Sequence, residues 1–78
     1  MNNLTIQIHP NPAQDVLQLT ANMVLNHVEL LDVFGRVIER SSPNSMNLQI
    51  SVESLVNGIY YLKMSSNESS HIERFIKN

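Results

Sequence analysis

The chain has no cysteine and no tryptophan, and its 78 residues include only two glycines, three prolines, two tyrosines and two phenylalanines. Without cysteine there is no disulfide, no thiolate nucleophile and no cysteine-based zinc site, and the redox compartment is left open. The only glycines, Gly35 and Gly58, exclude a glycine-rich phosphate loop. Basic residues are also scarce: five Lys and Arg stand against seven Asp and Glu, for a net charge of −2. Phosphate neutralisation needs a concentrated basic face, so a general nucleic-acid binder is excluded. No apolar run approaches the roughly 20 residues of a membrane helix, and no basic stretch leads into an apolar one near the start. Membrane insertion is therefore not expected, and any export signal is expected on sequence beyond these residues.

Catalytic constellations are missing as well. His9, His27 and His71 fall in three separate segments, without the four-residue spacing of a helical metal pair. The serine pairs Ser41-Ser42, Ser65-Ser66 and Ser69-Ser70 lie outside any Gly-x-Ser-x-Gly elbow. Glu29, Asp32, Glu39, Glu53, Glu68 and Glu73 fall on expected surface strands and turns, where solvated carboxylates are the rule. No catalytic residue, metal or cofactor is expected, and the chain is not read as an enzyme.

What is present is a β pattern. Seventy-eight residues make one small domain, for which size scaling gives about 4,800 Å² of folded surface against about 12,900 Å² unfolded, a thin core. Apolar residues alternate at Leu4, Ile6 and Ile8, at Leu17 and Leu19, at Val28 and Leu30, at Leu48, Ile50 and Val52, and at Tyr60, Leu62 and Met64. With Val37-Ile38 after Gly35 and with Ile72 and Ile76 in the tail, this predicts about seven short antiparallel strands. Turn residues separate them at intervals of roughly 8 to 12, the spacing of an immunoglobulin-like β-sandwich. The stretch Ala21–Leu31, interrupted by Asn22 and Asn26, reads as a loop entering a strand.

Two local features have sharper geometry. Asp32-Val33-Phe34-Gly35-Arg36 reads as a hairpin turn in which Gly35 takes positive φ. Leu55-Val56-Asn57-Gly58-Ile59-Tyr60 suits a corner where the Tyr60 hydroxyl bonds back to the backbone, with Gly58 at the turn.

The two ends carry the remaining signal. Pro10 and Pro12 fix φ and push His9 and Asn11 out of the helical region, so the chain leaves its first strand in one direction. Asn11 between them can bond neighbouring backbone or a partner. In the tail, Ile72, Arg74 and Ile76 share one parity and Glu73, Phe75 and Lys77 the other, and either can face the core.

Taken in order, these residues resemble the type A C-terminal sorting domain of the type IX secretion system of Bacteroidetes. The resemblance is carried by Ile6 to Pro12, by Leu17 and Leu19, by Val28-Glu29-Leu30-Leu31-Asp32 with Gly35 and Arg36, by Leu55 with Gly58-Ile59-Tyr60, and by the closing strand with Lys77. His9 stands where the family usually has Tyr or Phe, and Arg74 where lysine is commoner.

The resemblance implies that residues 1–78 form one sorting domain of a larger secreted protein, a substrate of the secretion machinery. A covalently linked N-terminal cargo domain would reach the periplasm, and outer-membrane translocon or shuttle proteins would recognise the signal. The cargo would then cross to the cell surface or medium, and a surface sortase-like peptidase would remove the domain. Candidate recognition residues are Pro10, Asn11, Pro12, Arg74, Phe75, Lys77 and Asn78, while Gly35, Gly58 and Tyr60 are structural. Exposed edge strands also allow a dimer. The competing function is an immunoglobulin-like adhesion or carbohydrate-binding module, since fold does not fix function; a spacer between domains is a third.

Overall fold

A computed structural model describes residues 3–78, so the first two residues of the expected domain lie outside the described ones. Seven strands follow in chain order: β1 Ile6–His9, β2 Val16–Leu25, β3 His27–Leu31, β4 Val37–Ser41, β5 Ser45–Ser51, β6 Gly58–Ser65 and β7 Ser70–Lys77. They form two sheets, one of three strands in the order β1-β2-β5 and one of four in the order β4-β3-β6-β7, with every strand pair antiparallel. The result is the β-sandwich expected from the sequence.

The alternating residues are what the sandwich closes on. Leu17, Leu19, Ala21, Leu25 and Ile50 of the smaller sheet meet Val28, Leu30, Tyr60, Leu62, Met64 and Phe75 of the larger one. Ala13 and Val52 join this core from connecting segments, and Ile6, Ile8 and Leu48 pack at its margin. Total accessible surface is 4928 Å², close to the value expected from chain length.

The structure corrects the reading of Ala21–Leu31. It is strand on both sides of Asn26: β2 runs through to Leu25, and the chain then changes sheet and continues as β3. Burial overrides the asparagine signal, because Ala21 and Leu25 supply core atoms at either end of this extension. Asn22 does not break the strand. Its side-chain oxygen accepts from the Thr5 amide at 2.9 Å and its side-chain nitrogen donates to the Asn3 carbonyl at 2.7 Å, continuing the attachment of β1 where the regular ladder ends. Asn26 makes the sheet change with its own amide donating to the Ser65 carbonyl at 2.7 Å.

The β3–β4 hairpin forms where it is expected. Gly35 sits at φ 81°, a region that a Cβ would strain. Asp32 organises the turn: its Oδ1 accepts from the amides of Phe34 and Arg36 at 2.9 and 3.0 Å, and its Oδ2 from Arg36 Nε at 2.8 Å. Partial desolvation pushes the Asp32 carboxyl up, but the Arg36 amide and guanidinium and the Phe34 amide outweigh it and hold the group below its ordinary range.

Candidate recognition site

The proline turn and the tail, read separately in the sequence, meet in the structure. β1 lies at the edge of the smaller sheet and β7 at the edge of the larger one. Between them the chain crosses from one sheet to the other through Pro10-Asn11-Pro12, where both peptide bonds preceding the prolines are cis. It arrives beside β7 in a short parallel bridge between Ala13 and Lys77. The Ala13 amide donates to the Ile76 carbonyl at 2.8 Å, and the Asn78 amide donates to the Ala13 carbonyl at 2.9 Å. Asn11 adds a side-chain contact, its Oδ1 accepting from the Ile76 amide at 3.1 Å. Ala13 is fully buried, and its single methyl suits so close an approach of two backbones.

The tail resolves its parity through what lies opposite. β6 presents Tyr60, Leu62 and Met64 inward, and β7 pairs Phe75 with Tyr60, Glu73 with Leu62 and His71 with Met64. Phe75 and Lys77 are therefore the buried members, while Ile72 and Arg74 face out. The Phe75 ring stacks on Tyr60 with centroids 5.7 Å apart. His71 Nε2 and Glu73 Oε1 lie 2.8 Å apart at the half-exposed rim.

Lys77 is the unexpected element. Its side chain turns inward at 7% exposure, and Nζ donates to the Leu55 carbonyl at 2.9 Å. A lysine stem buries readily along apolar surface when its head finds an acceptor. Here the acceptor belongs to the β5–β6 connection, which Tyr60 also ties down: its hydroxyl donates to the Val56 carbonyl at 2.6 Å. This is the corner expected from the Gly-x-Tyr sequence.

Of the residues singled out for recognition, Pro10, Asn11, Pro12, Arg74 and Asn78 are exposed, whereas Phe75 and Lys77 are within the fold. Ala13 and the Leu55 carbonyl were not singled out, although Ala13 directly follows the second proline and Leu55 opens the Gly-x-Tyr motif.

The model of one protein family, described as the secretion system C-terminal sorting domain, matches residues 7–78. The chain belongs to this family. It spans both the proline turn and the tail, so the match covers every contact just described. No curated protein matches the chain. As a sorting domain it is a signal of the type IX secretion system, attached to a cargo protein and serving export across the outer membrane to the cell surface or the extracellular space. This is not a catalytic family.

Proposed function

We propose that residues 1–78 are a single sorting domain that acts as a removable address. The cargo enters the periplasm by its own signal, an outer-membrane translocon or shuttle protein binds the turn and tail, the cargo crosses, and a surface sortase-like peptidase cuts ahead of the domain. The domain catalyses none of these steps.

One observation carries this reading. The chain enters the sandwich near Thr5 and Asn22, crosses between the sheets through the exposed proline turn and finishes beside Ala13 and Gly58, so the turn and the end of the last edge strand form one surface. Pro10, Asn11 and Pro12 are exposed beside the end of β7, where a receptor can reach the turn and the last edge strand together. Edge strands bind extended segments through their free backbone groups, a mode suited to a receptor that must accept many cargoes. The fixed turn also loses little entropy on binding.

A carbohydrate-binding module would need aromatic platforms. Tyr60 and Phe75 are stacked in the core, which leaves the exposed Phe34 and the half-buried Tyr61 on separate segments. The deciding experiment appends the domain to a periplasmically exported fluorescent reporter in a type IX-competent host and in a matched strain without the translocon. Reporter at the surface or in the medium of the first strain alone is the expected result. Reporter retained in the periplasm of both would remove the sorting function and leave the adhesion module.

A further inference from the structure

The contacts at the end of β7 show which way its backbone groups point. Ile76 directs both its amide and its carbonyl away from β6, to Asn11 and Ala13. Because strand backbone groups alternate in direction with a period of two, the amides and carbonyls of Ser70, Ile72 and Arg74 point to the same outer side. None of them has a hydrogen-bond partner among the described residues. The edge is therefore divided: at Ile76 its outward amide and carbonyl are taken by Asn11 and Ala13, and the preceding stretch from Ser70 to Arg74 is open over roughly 17 Å.

The proline turn closes one end of this opening. Pro10 and Pro12 have no amide to offer, and the Asn11 side chain already occupies the Ile76 amide. A strand laid along β7 can pair with Ile72 and Arg74, but it meets the turn at Ile76 and can go no further.

The side chains flanking the opening set the chemistry. On the outer face, Ile72 is 58% exposed beside Lys63, and Arg74 lies beside Tyr61. No carboxylate lies within ion-pair distance of Arg74 or Lys63 among the described residues. Glu29, the cross-strand neighbour of Lys63, is engaged with Arg40 at 2.9 Å. On the other face, His71 and Glu73 satisfy one another. In a chain of net charge −2, this edge is locally cationic.

We propose that the Ser70–Arg74 half of β7 accepts one short extended segment of a secretion-machinery protein, in a register set by the Pro10-Asn11-Pro12 stop. That segment carries a carboxylate beside Arg74 and an apolar side chain beside Ile72. The inference rests on the sorting function above and specifies how the tail is read: through backbone groups upstream of the terminus, with the terminal residues serving as the fixed end of the site.

The test uses the reporter fused to the full domain in the type IX-competent host. Ile72→Pro removes an amide that bonds nothing inside the domain, so the purified fusion should keep its cooperative thermal unfolding while reporter export falls about tenfold, the equivalent of about 1.4 kcal/mol. Arg74→Glu alters only an exposed side chain; export should fall similarly, and Arg74→Lys should retain it. Export of Ile72→Pro at the wild-type level overturns the proposal. If Ile72→Pro fails to fold, the Arg74 pair decides: Arg74→Glu exported like wild type overturns it equally. Failure of the sorting function looks different, since the unaltered domain would then not export the reporter at all.

Discussion

The backbone amide of Ile76 donates to the side-chain oxygen of Asn11 at 3.1 Å, joining residues 65 positions apart. Through this bond the proline turn becomes part of the tail. Asn11→Ala should cost about 1 kcal/mol, lowering the unfolding midpoint by about 4–8 °C, whereas Asn11→Asp keeps an acceptor in place. Amide hydrogen exchange at Ile76 should accelerate in Asn11→Ala, while Phe75, bonded into the β6 ladder, stays protected. Unchanged exchange at Ile76 would mean that the bond contributes nothing in solution.

The parts of this fold that could be read in the sequence are those whose cause is local. Leu17 and Leu19, Val28 and Leu30, and Tyr60, Leu62 and Met64 alternate because one face of each strand is buried, and that period survives in the sequence. The hairpin at Gly35 and the Tyr60 corner are also short-range, spanning four residues each between Asp32 and Arg36 and between Val56 and Tyr60. Asn22 misled because its role depends on Thr5, 17 positions away. The tail was ambiguous for a related reason. Ile72 and Ile76 are as apolar as Phe75, and the choice between parities is made by Tyr60 on the neighbouring strand. Both halves of the candidate site were named from the sequence, but nothing local could show that they touch.

Tyr60 separates the contributions of a hydroxyl and a ring. Tyr60→Phe removes only the 2.6 Å bond to the Val56 carbonyl and should cost about 1 kcal/mol. Tyr60→Leu also removes the stack on Phe75 and should cost about 1 kcal/mol more than Tyr60→Phe. Chemical denaturation of the two variants measures both steps; equal stabilities would show that the stacked geometry adds nothing beyond apolar burial.

Lys77 distinguishes holding the tail from being read in it. Methionine preserves most of the buried stem, and losing the bond to Leu55 is offset by no longer desolvating an ammonium, so Lys77→Met should stay within about 1 kcal/mol of wild type. Lys77→Glu places a carboxylate against the Leu55 carbonyl and should cost about 3 kcal/mol. If Lys77 serves to anchor the strand, reporter export should follow stability: retained in Lys77→Met and lost in Lys77→Glu. A stable Lys77→Met that is not exported would show that the secretion machinery reads the ammonium itself.

The Asp32 turn makes stability depend on pH in a defined direction. Its carboxyl sits below the ordinary value of 3.8, because the hydrogen bonds from Arg36 and Phe34 favour the charged form more than desolvation disfavours it. A carboxyl depressed in the folded state binds its proton more readily in the unfolded chain. Its contribution is therefore present above about pH 4 and is lost as pH falls through the folded-state value. Asn at this position keeps an acceptor for the two amides but has no charge for the Arg36 guanidinium. Wild type should accordingly melt above Asp32→Asn at pH 6 to 7, and the gap should narrow steadily below pH 4 as the wild-type carboxyl is protonated. Salt should also narrow the gap, since the charge that Asn lacks faces an exposed Arg36 guanidinium. Thermal unfolding of both proteins from pH 2 to pH 7 tests this; a gap that is constant with pH would place the value of Asp32 in the shape of its side chain and not in its charge.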